Sequence, residues 1–177
     1  MKIKVTSLQI LVILFMGLLS FLSNASDLKI GDSAPDFKLK NQKGEEITLA
    51  QFKNKKIVVL YFYPKDETPG CTAEACAFRD SYEIFQKAGA EVIGVSGDDE
   101  TSHTKFAANH HLPFHLLSDT DNKLRKAFKV ASTLGVMPGR VTFVIDKQGN
   151  IVHVFSSQMQ ATKHIEEALE AIKKVGD

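Results

Sequence analysis

Cys71 and Cys76 are the two cysteines of this 177-residue chain, and both follow a strongly apolar run. That run, Lys56–Tyr63, predicts a buried strand that Pro64 ends, so we expect Cys71 in the first turn of the next helix. Free backbone N–H groups and the positive end of the helix dipole stabilise a thiolate there, and the thiolate is the reactive form of cysteine. The position predicts nucleophilic redox chemistry; a small buried cysteine or a structural Cys71–Cys76 disulfide stays open.

The spacing of the two cysteines limits how they can pair. Residues five apart on a regular helix differ by roughly 7.5 Å of rise and about 140° of rotation, which places their Cα atoms roughly 8.5 Å apart. A disulfide tolerates a Cα separation of only about 7 Å, so a bond between Cys71 and Cys76 requires the helix to unwind locally. The very short loop would also give such a bond little entropic stabilisation. These constraints favour a cysteine that reacts first and pairs afterwards.

Strand and helix patterns alternate around this segment. We predict strands at 56–63, 91–96 and 141–145 and a hairpin turn at 146–150 leading into a strand at 151–155. The helix that holds Cys71 in its first turn has apolar residues at helical spacing from Ala75 to Phe85 and a stop at Gly89, and further helices are predicted at 102–109 and from Thr162 onward. Two β-α-β units followed by a hairpin and a helix indicate a three-layer α/β fold. Residues 28–175 contain no repeat and no linker-like stretch, which predicts one domain.

The composition excludes several classes of protein. Hydrophobic residues make up 44% and charged residues 24% of the chain, values typical of soluble globular domains and not of disordered or multi-pass membrane proteins. The 22 basic and 21 acidic residues nearly balance, which argues against a nucleic-acid partner.

The first 25 residues have the pattern of a secretory signal peptide. Lys2 and Lys4 precede an apolar stretch from Leu8 to Leu22, and small residues stand at the expected cleavage positions before Ser26. An uncleaved anchor is the alternative, but a spanning helix needs about 20 apolar residues. We expect residues 1–25 to be removed, residues 26–177 to be exported to the periplasm, and no stable membrane association afterwards.

The segment around Cys71 resembles a known family. Pro64-x-x-x-Thr68-x-x-Cys71 is similar to the active-site motif of the peroxiredoxins, and the continuation to Cys76 resembles their peroxiredoxin Q, or bacterioferritin comigratory protein, branch. The likeness extends through Val92–Ser96 and Pro138–Asp146 and covers nearly all of residues 28–175. It implies a thioredoxin-like fold, with a central mixed β-sheet flanked by helices, and thiol-dependent reduction of hydrogen peroxide and organic hydroperoxides in antioxidant defence.

The resemblance also implies a role for each residue of the motif. Cys71 would be the nucleophile that attacks the peroxide and becomes a sulfenic acid. Thr68 would orient the peroxide, Pro64 would shield the pocket, and Arg140 would hold the thiolate and stabilise charge developing on the peroxide oxygens. Cys76 would resolve the sulfenic acid as an intramolecular disulfide.

The implied partners are hydroperoxide substrates and a thioredoxin-like or other dithiol reductant, with no cofactor and no metal. Because both cysteines belong to one chain, catalysis needs no dimer and we expect a monomer. The signal-like segment differs from the usual cytosolic member of this branch, so the identity of the reductant stays open.

Other charged residues indicate ordinary surface roles. Four histidines lie close together in sequence, but their spacing matches no zinc signature, so we expect solvated side chains at His103, His110, His111 and His115. Arg125 belongs to an ordinary helix charge pattern with Lys123, Lys126 and Lys129. Arg79 is expected to be a surface or ion-pair residue, with support of the Cys71 site as the alternative.

Two alternative functions use the same cysteines. An exported thioredoxin-like copper chaperone would use both thiols and a histidine, but that family typically separates its cysteines by three residues, whereas four separate them here. A thiol–disulfide oxidoreductase would carry Cys-x-x-Cys, which this chain lacks.

Overall fold

The computed structural model describes residues 28–133 and 137–176. The predicted segment at 1–25 lies outside the described residues. Nine strands and five α-helices are found in the described part of the chain. In chain order they are β1 (Lys38–Lys40), β2 (Glu46–Thr48), β3 (Ile57–Phe62), α1 (Pro69–Asp80), α2 (Tyr82–Lys87), β4 (Ala90–Ser96), α3 (Glu100–His110), β5 (His115–Ser118), α4 (Lys123–Ala127), β6 (Ser132–Thr133), β7 (Met137–Pro138), β8 (Val141–Ile145), β9 (Ile151–Ser156) and α5 (Lys163–Gly176).

A five-stranded mixed sheet in the order β5-β4-β3-β8-β9 forms the centre of the molecule. β3, β4 and β5 run parallel, whereas β8 is antiparallel to β3 and β9 is antiparallel to β8. Every residue of the central strand β3 is buried, as its unbroken apolar sequence predicts for a strand covered on both faces. The predicted strands at 56–63, 91–96 and 141–145 and the hairpin into β9 are confirmed.

Alternate residues of β3 enter two separate hydrophobic clusters, one on each face of the sheet. Val59 and Tyr61 pack in the first cluster beneath helices α1, α2, α3 and α5. Leu60 and Phe62 pack in the second, which α4 and the segment 37–49 cover. Helices therefore flank both faces of a mixed sheet, and the predicted three-layer α/β fold is confirmed.

Two features differ from the predicted elements. The single helix predicted to run from the first turn at Cys71 through Phe85 is two helices, α1 and α2, separated at Ser81, although its apolar residues do face one cluster. Gly89 ends α2 with a φ of +71°, a conformation that glycine adopts without strain. The β1–β2 hairpin and the parallel strand β5 carry too few residues to give a clear periodic signal.

No helix within the described ranges is both long and apolar enough to cross a membrane.

Candidate active site

Cys71 is the third residue of α1 and is only 1% exposed. Thr68 has an extended backbone and forms the N-cap, and Pro69 is favoured at the first helical position because its fixed φ suits a helix and it has no N–H to satisfy. The amide of Thr72 donates to the Thr68 carbonyl at 2.8 Å. The predicted position of Cys71 in the first helical turn is confirmed, and the backbone N–H groups of such a turn have no partner within the helix.

The guanidinium of Arg140 reaches the sulfur of Cys71. Arg140 is 4% exposed, directly precedes β8, and donates through Nη2 to Cys71 Sγ at 3.4 Å. Burial lowers the pKa of Arg140, but the neighbouring Glu74 and Cys71 outweigh that effect and hold the pKa above its ordinary value. Arg140 is therefore a permanent cation beside a thiol at a helix N-terminus.

Glu74, one turn after Cys71, is fully buried and was not among the predicted site residues. Its Oε2 accepts a hydrogen bond from Nη1 of Arg140, so the guanidinium is shared between the carboxyl group of Glu74 and the thiol of Cys71. Burial raises the pKa of Glu74 to about 8 although Arg140 opposes that rise. The three-residue spacing of Cys71 and Glu74 places both on one helix face, which is the signal that could have identified Glu74.

His164 lies behind Glu74, where its Nδ1 is 3.7 Å from Oε1 of Glu74. The ring is fully buried, with Nε2 3.0 Å from the Ser157 carbonyl and Nδ1 2.7 Å from the Thr142 hydroxyl. A carbonyl can only accept, so Nε2 carries the hydrogen and Nδ1 accepts from Thr142. Burial lowers the pKa of His164 to about 4, so the imidazole is neutral near pH 7.

Thr68 and Pro64 lie in the loop that leads from β3 to α1. The hydroxyl of Thr68 donates to the carbonyl of Lys65 at 3.0 Å, and the side chain is partly exposed. Pro64 is also partly exposed and follows the last buried residue of β3 by two positions. The hydrogen bond that reaches Cys71 Sγ comes from Arg140, so the proposed orienting role of Thr68 stays a prediction.

Cys76 lies on the same continuous helix as Cys71, and both cysteines are free thiols. Cys71 is buried and Cys76 is partly exposed. The helical conformation of 69–80 imposes the separation that the sequence predicts, so the two sulfurs cannot bond while α1 is intact. Arg79, on the next turn, pairs with Asp80 at 2.8 Å, as expected, and also donates to the His110 carbonyl.

The expectation that His103 is solvated is wrong. Its ring is fully buried, with Nδ1 2.8 Å from Asp66 Oδ2 and Nε2 3.2 Å from the Leu117 carbonyl. Asp66 also accepts hydrogen bonds from Tyr63 and Ser102, so this cluster fixes the loop that carries Pro64 and Thr68. Single-sequence patterns cannot identify such a pair, because the partners are 37 positions apart.

His110 lies in α3, where its Nε2 is 3.0 Å from Oε2 of Glu67, and is only partly exposed. His115 in β5 is also half-buried, whereas His111 is exposed as expected. Among residues 28–133 and 137–176, no group of three or more potential ligands is arranged to hold a metal ion.

Arg125 differs from the rest of its helix charge pattern, because the side chain is 6% exposed and its guanidinium hydrogen-bonds to two backbone carbonyls. Lys123, Lys126 and Lys129 of the same charge pattern are exposed.

Comparison with known proteins decides the family. The family model described as AhpC/TSA matches residues 30–154, which include Cys71 and Arg140. The chain belongs to this family of peroxiredoxins. Peroxiredoxin Q of Triticum aestivum is 56% identical over 146 residues, covering 82% of this chain and 67% of the relative, and that of Sedum lineare is 54% identical, covering 82% and 78%. Both relatives are named as chloroplastic.

Solved structures agree with this assignment. The crystal structure of a mutant of PrxQ from Xylella fastidiosa superimposes with a TM-score of 0.79 at 34% identity, covering 86% of this peroxiredoxin and all of that chain. Peroxidoxin BcpB from Mycobacterium tuberculosis gives 0.77 at 36% identity, covering 84% and 98%. The predicted thioredoxin-like fold and the peroxiredoxin resemblance are confirmed, and the protein is a thiol peroxidase.

The relatives do not support the two alternative functions or the expected location. All four proteins named here are peroxiredoxins, so they give no support to a copper chaperone or a thiol–disulfide oxidoreductase. They also give no support to an exported, periplasmic location, because the curated relatives are chloroplastic.

Proposed function

We propose that this peroxiredoxin reduces hydrogen peroxide and organic hydroperoxides with Cys71 as the attacking thiolate, Cys76 as the resolving thiol and a thioredoxin-type dithiol as reductant. The observation that carries the proposal is the Arg140 guanidinium, which lies 3.4 Å from Cys71 Sγ at the N-terminus of α1. A buried cation and a helix N-terminus both favour negative charge on the sulfur.

In the first step, the Cys71 thiolate attacks the terminal oxygen of the hydroperoxide. The S–O bond forms as the O–O bond breaks, the sulfur is oxidised to a sulfenic acid, and the leaving oxygen takes a proton to become an alcohol or water. Arg140 has further N–H donors beyond the one directed at Cys71, and these can stabilise negative charge on the departing oxygen. The buried site keeps these donors fixed before the reaction begins.

In the second step, the thiol of Cys76 condenses with the sulfenic acid. A disulfide forms between the two sulfurs, and one water molecule leaves. Because the cysteines are five residues apart on α1, this step requires the first turns of the helix to unwind and Cys71 to leave its buried site. The partial exposure of Cys76 suits it to receive the displaced Cys71 and then an external reductant.

A dithiol of the thioredoxin type completes the cycle. Its thiolate attacks the Cys71–Cys76 disulfide, and its second thiol releases the reduced enzyme with both cysteines restored. All the redox equivalents reside on cysteine sulfur, so the cycle uses no cofactor, and it proceeds within one chain, so a monomer suffices.

Thr68 and Pro64 complete the site in this proposal. Thr68 would turn its hydroxyl from the Lys65 carbonyl toward the peroxide when substrate binds, and Pro64 would exclude water from the sulfur. The Asp66–His103 pair supports this by holding the loop that carries both residues.

Replacement of each cysteine tests the assignment. Cys71→Ser should abolish turnover of hydrogen peroxide with a thioredoxin and its reductase, since a hydroxyl gives no nucleophilic anion near pH 7. The matched control, Cys76→Ser, should still consume one equivalent of peroxide per chain in a single turnover and then stop. Substantial steady-state turnover by Cys71→Ser, in preparations where the wild type is active, would show that another group is the nucleophile.

We also propose that residues 1–25 form a cleaved targeting segment, whatever compartment they address. The family model begins at residue 30, beyond this segment. Mass spectrometry of the protein from its natural source should give a chain starting at Ser26. A chain that retains Met1 in a membrane fraction would indicate an anchor.

A further inference from the structure

We propose that Arg125 is a second, positioning arginine of the site, which fixes the backbone just before the loop that leads to Cys71 and just before Arg140, and thereby aims Arg140 at the sulfur. The inference rests on the proposed function, because it assumes that the reacting atom is Cys71 Sγ and that Arg140 assists it. In the sequence, Arg125 belongs to an ordinary helix charge pattern, but in the structure it is 6% exposed.

The hydrogen bonds of Arg125 connect the two segments that supply the site. Nη1 donates to the Gly139 carbonyl at 2.8 Å, and Nη2 donates to the Tyr63 carbonyl at 2.8 Å. Gly139 directly precedes Arg140, and Tyr63 directly precedes Pro64 in the loop leading to α1. One rigid guanidinium therefore sets the distance between the segment that carries Arg140, just before β8, and the loop that leads to Cys71.

The guanidinium is itself firmly held. It lies over the ring of Phe62, with 5.5 Å from Cζ to the ring centroid. The backbone of Arg125 is fixed as well, since its amide donates to Oδ2 of the buried Asp119 at 2.8 Å. Because Arg125 is held at its backbone and at its guanidinium, the carbonyls of Tyr63 and Gly139 cannot shift relative to each other without the loss of a buried hydrogen bond.

The backbone next to Arg140 is also closely packed, at Gly139. A Cβ atom added at Gly139 would come within 2.2 Å of the Ala131 carbonyl oxygen, so the chain packs against its neighbours at the carbonyl that Arg125 binds. Burial lowers the pKa of Arg125, whereas the charges of Asp119 and then Cys71 act to raise it, which places the guanidinium in the electrostatic neighbourhood of the sulfur.

The experiment compares two reactions of the same sulfur in the reduced enzyme. Oxidation by hydrogen peroxide, followed by stopped flow, needs Arg140 in place to stabilise the departing oxygen. Alkylation by iodoacetamide has no such oxygen, and its rate at Cys71 alone, separated from that at Cys76, is followed by mass spectrometry of the digested protein. Arg125→Lys keeps a positive charge but cannot present the two fixed donors. It should lower the second-order rate constant with peroxide at least tenfold and lower alkylation less than threefold. Lys126→Gln, an exposed neighbour in α4, is the matched control and should change neither rate.

A double-mutant cycle tests whether Arg125 acts through Arg140. In an Arg140→Lys background, Arg125→Lys should cost less than threefold in the peroxide reaction. Arg125→Met provides a second single variant without charge, and it should show at least the same loss. Thermal unfolding shows whether the Arg125→Lys and Arg125→Met variants fold. If neither does, the soluble Arg125→Gln variant is used instead, and its ratio of peroxide rate to alkylation rate should fall tenfold.

Three outcomes would overturn the inference. The first is a peroxide rate constant of Arg125→Lys or Arg125→Gln within twofold of wild type. The second is an equal fall in the rate constants of peroxide oxidation and alkylation. The third is an effect of Arg125→Lys on the peroxide reaction that is as large in the Arg140→Lys background as in wild type. The failure of the proposed function looks different, because wild type would then lack peroxidase activity or Cys71→Ser would retain it.

Discussion

The buried neutral imidazole of His164 should make the stability of the fold depend on pH in a defined direction. The pKa of His164 is lowered by burial to about 4, against an ordinary value of 6.5. Between those values the unfolded chain binds a proton at this position and the folded chain does not. Stability from His164 is therefore present above pH 6.5 and is lost as the pH falls toward 4.

The size of the effect follows from the two pKa values. A difference of one pKa unit corresponds to about 1.36 kcal/mol, so acidification from pH 7.5 to 4.5 should remove about 2.5 kcal/mol of stability through His164. Glu74 acts in the opposite direction, because burial raises its pKa to about 8 and its contribution to stability increases as the pH falls. The two groups partly cancel in the wild type, so the wild-type curve alone cannot reveal either one.

Comparison with His164→Gln isolates the histidine. The glutamine amide can still donate to the Ser157 carbonyl but does not titrate, so the variant lacks the acid-induced loss. Both proteins are unfolded with urea at pH values from 4.5 to 7.5, with dithiothreitol to keep both thiols reduced. Between pH 7.5 and pH 4.5, the free energy of unfolding of the wild type should fall by about 2.5 kcal/mol relative to that of His164→Gln. His111→Asn, which removes an exposed imidazole, is the control. Curves for wild type and His164→Gln that stay parallel within about 0.5 kcal/mol would refute the neutral, buried imidazole.

Three further changes test the site and its surroundings. Arg140→Lys should lose more than tenfold in peroxide turnover, measured by stopped flow, because an ammonium cannot contact both Glu74 and the sulfur with fixed donors; near-normal turnover would contradict this. Amides of 71–80 should exchange faster in the oxidised than in the reduced enzyme, and Cys76→Ser should remove the difference; equal exchange would exclude unwinding. Gly94→Ala should lower the thermal midpoint by several degrees, because its Cβ would lie 2.7 Å from the Tyr61 hydroxyl; an unchanged midpoint would show that the ring can move.

The sequence predicts those parts of the fold whose signal is local. The strands β3, β4 and β8 follow from apolar runs, the position of Cys71 follows from the end of β3 at Pro64, and the structure confirms them. The break at Ser81 and the short hairpin β1–β2 carry no comparable periodic signal, because each depends on how the chain packs against other elements. Local patterns thus locate the nucleophile, whereas tertiary contacts determine the break at Ser81 and the β1–β2 hairpin.

The charged residues around the sulfur show where local reasoning fails. Arg125, His103 and His164 are polar in sequence, and polar residues are usually exposed, so a single sequence favours surface roles for them. Each is buried in the structure because a distant partner compensates the loss of water, such as the carbonyls of Tyr63 and Gly139 for Arg125. These partners are set by the order of strands in the sheet, which no spacing rule within one segment encodes.

The same buried polar groups explain how a peroxiredoxin site can be both rigid and transient. Arg140 directly precedes β8 and His164 lies in α5, so neither belongs to the helix that unwinds, and His164 keeps its own buried hydrogen-bond partners in Thr142 and Ser157. The first turns of α1 can open locally, because on unwinding their carbonyl and amide groups replace hydrogen bonds within the helix with hydrogen bonds to water. Oxidation should therefore loosen the helix that carries both cysteines, together with Glu74 between them, while the backbones of Arg140 and His164 stay in place. Re-reduction then needs only the short segment from Cys71 to Cys76, with Glu74, to refold against Arg140 and His164.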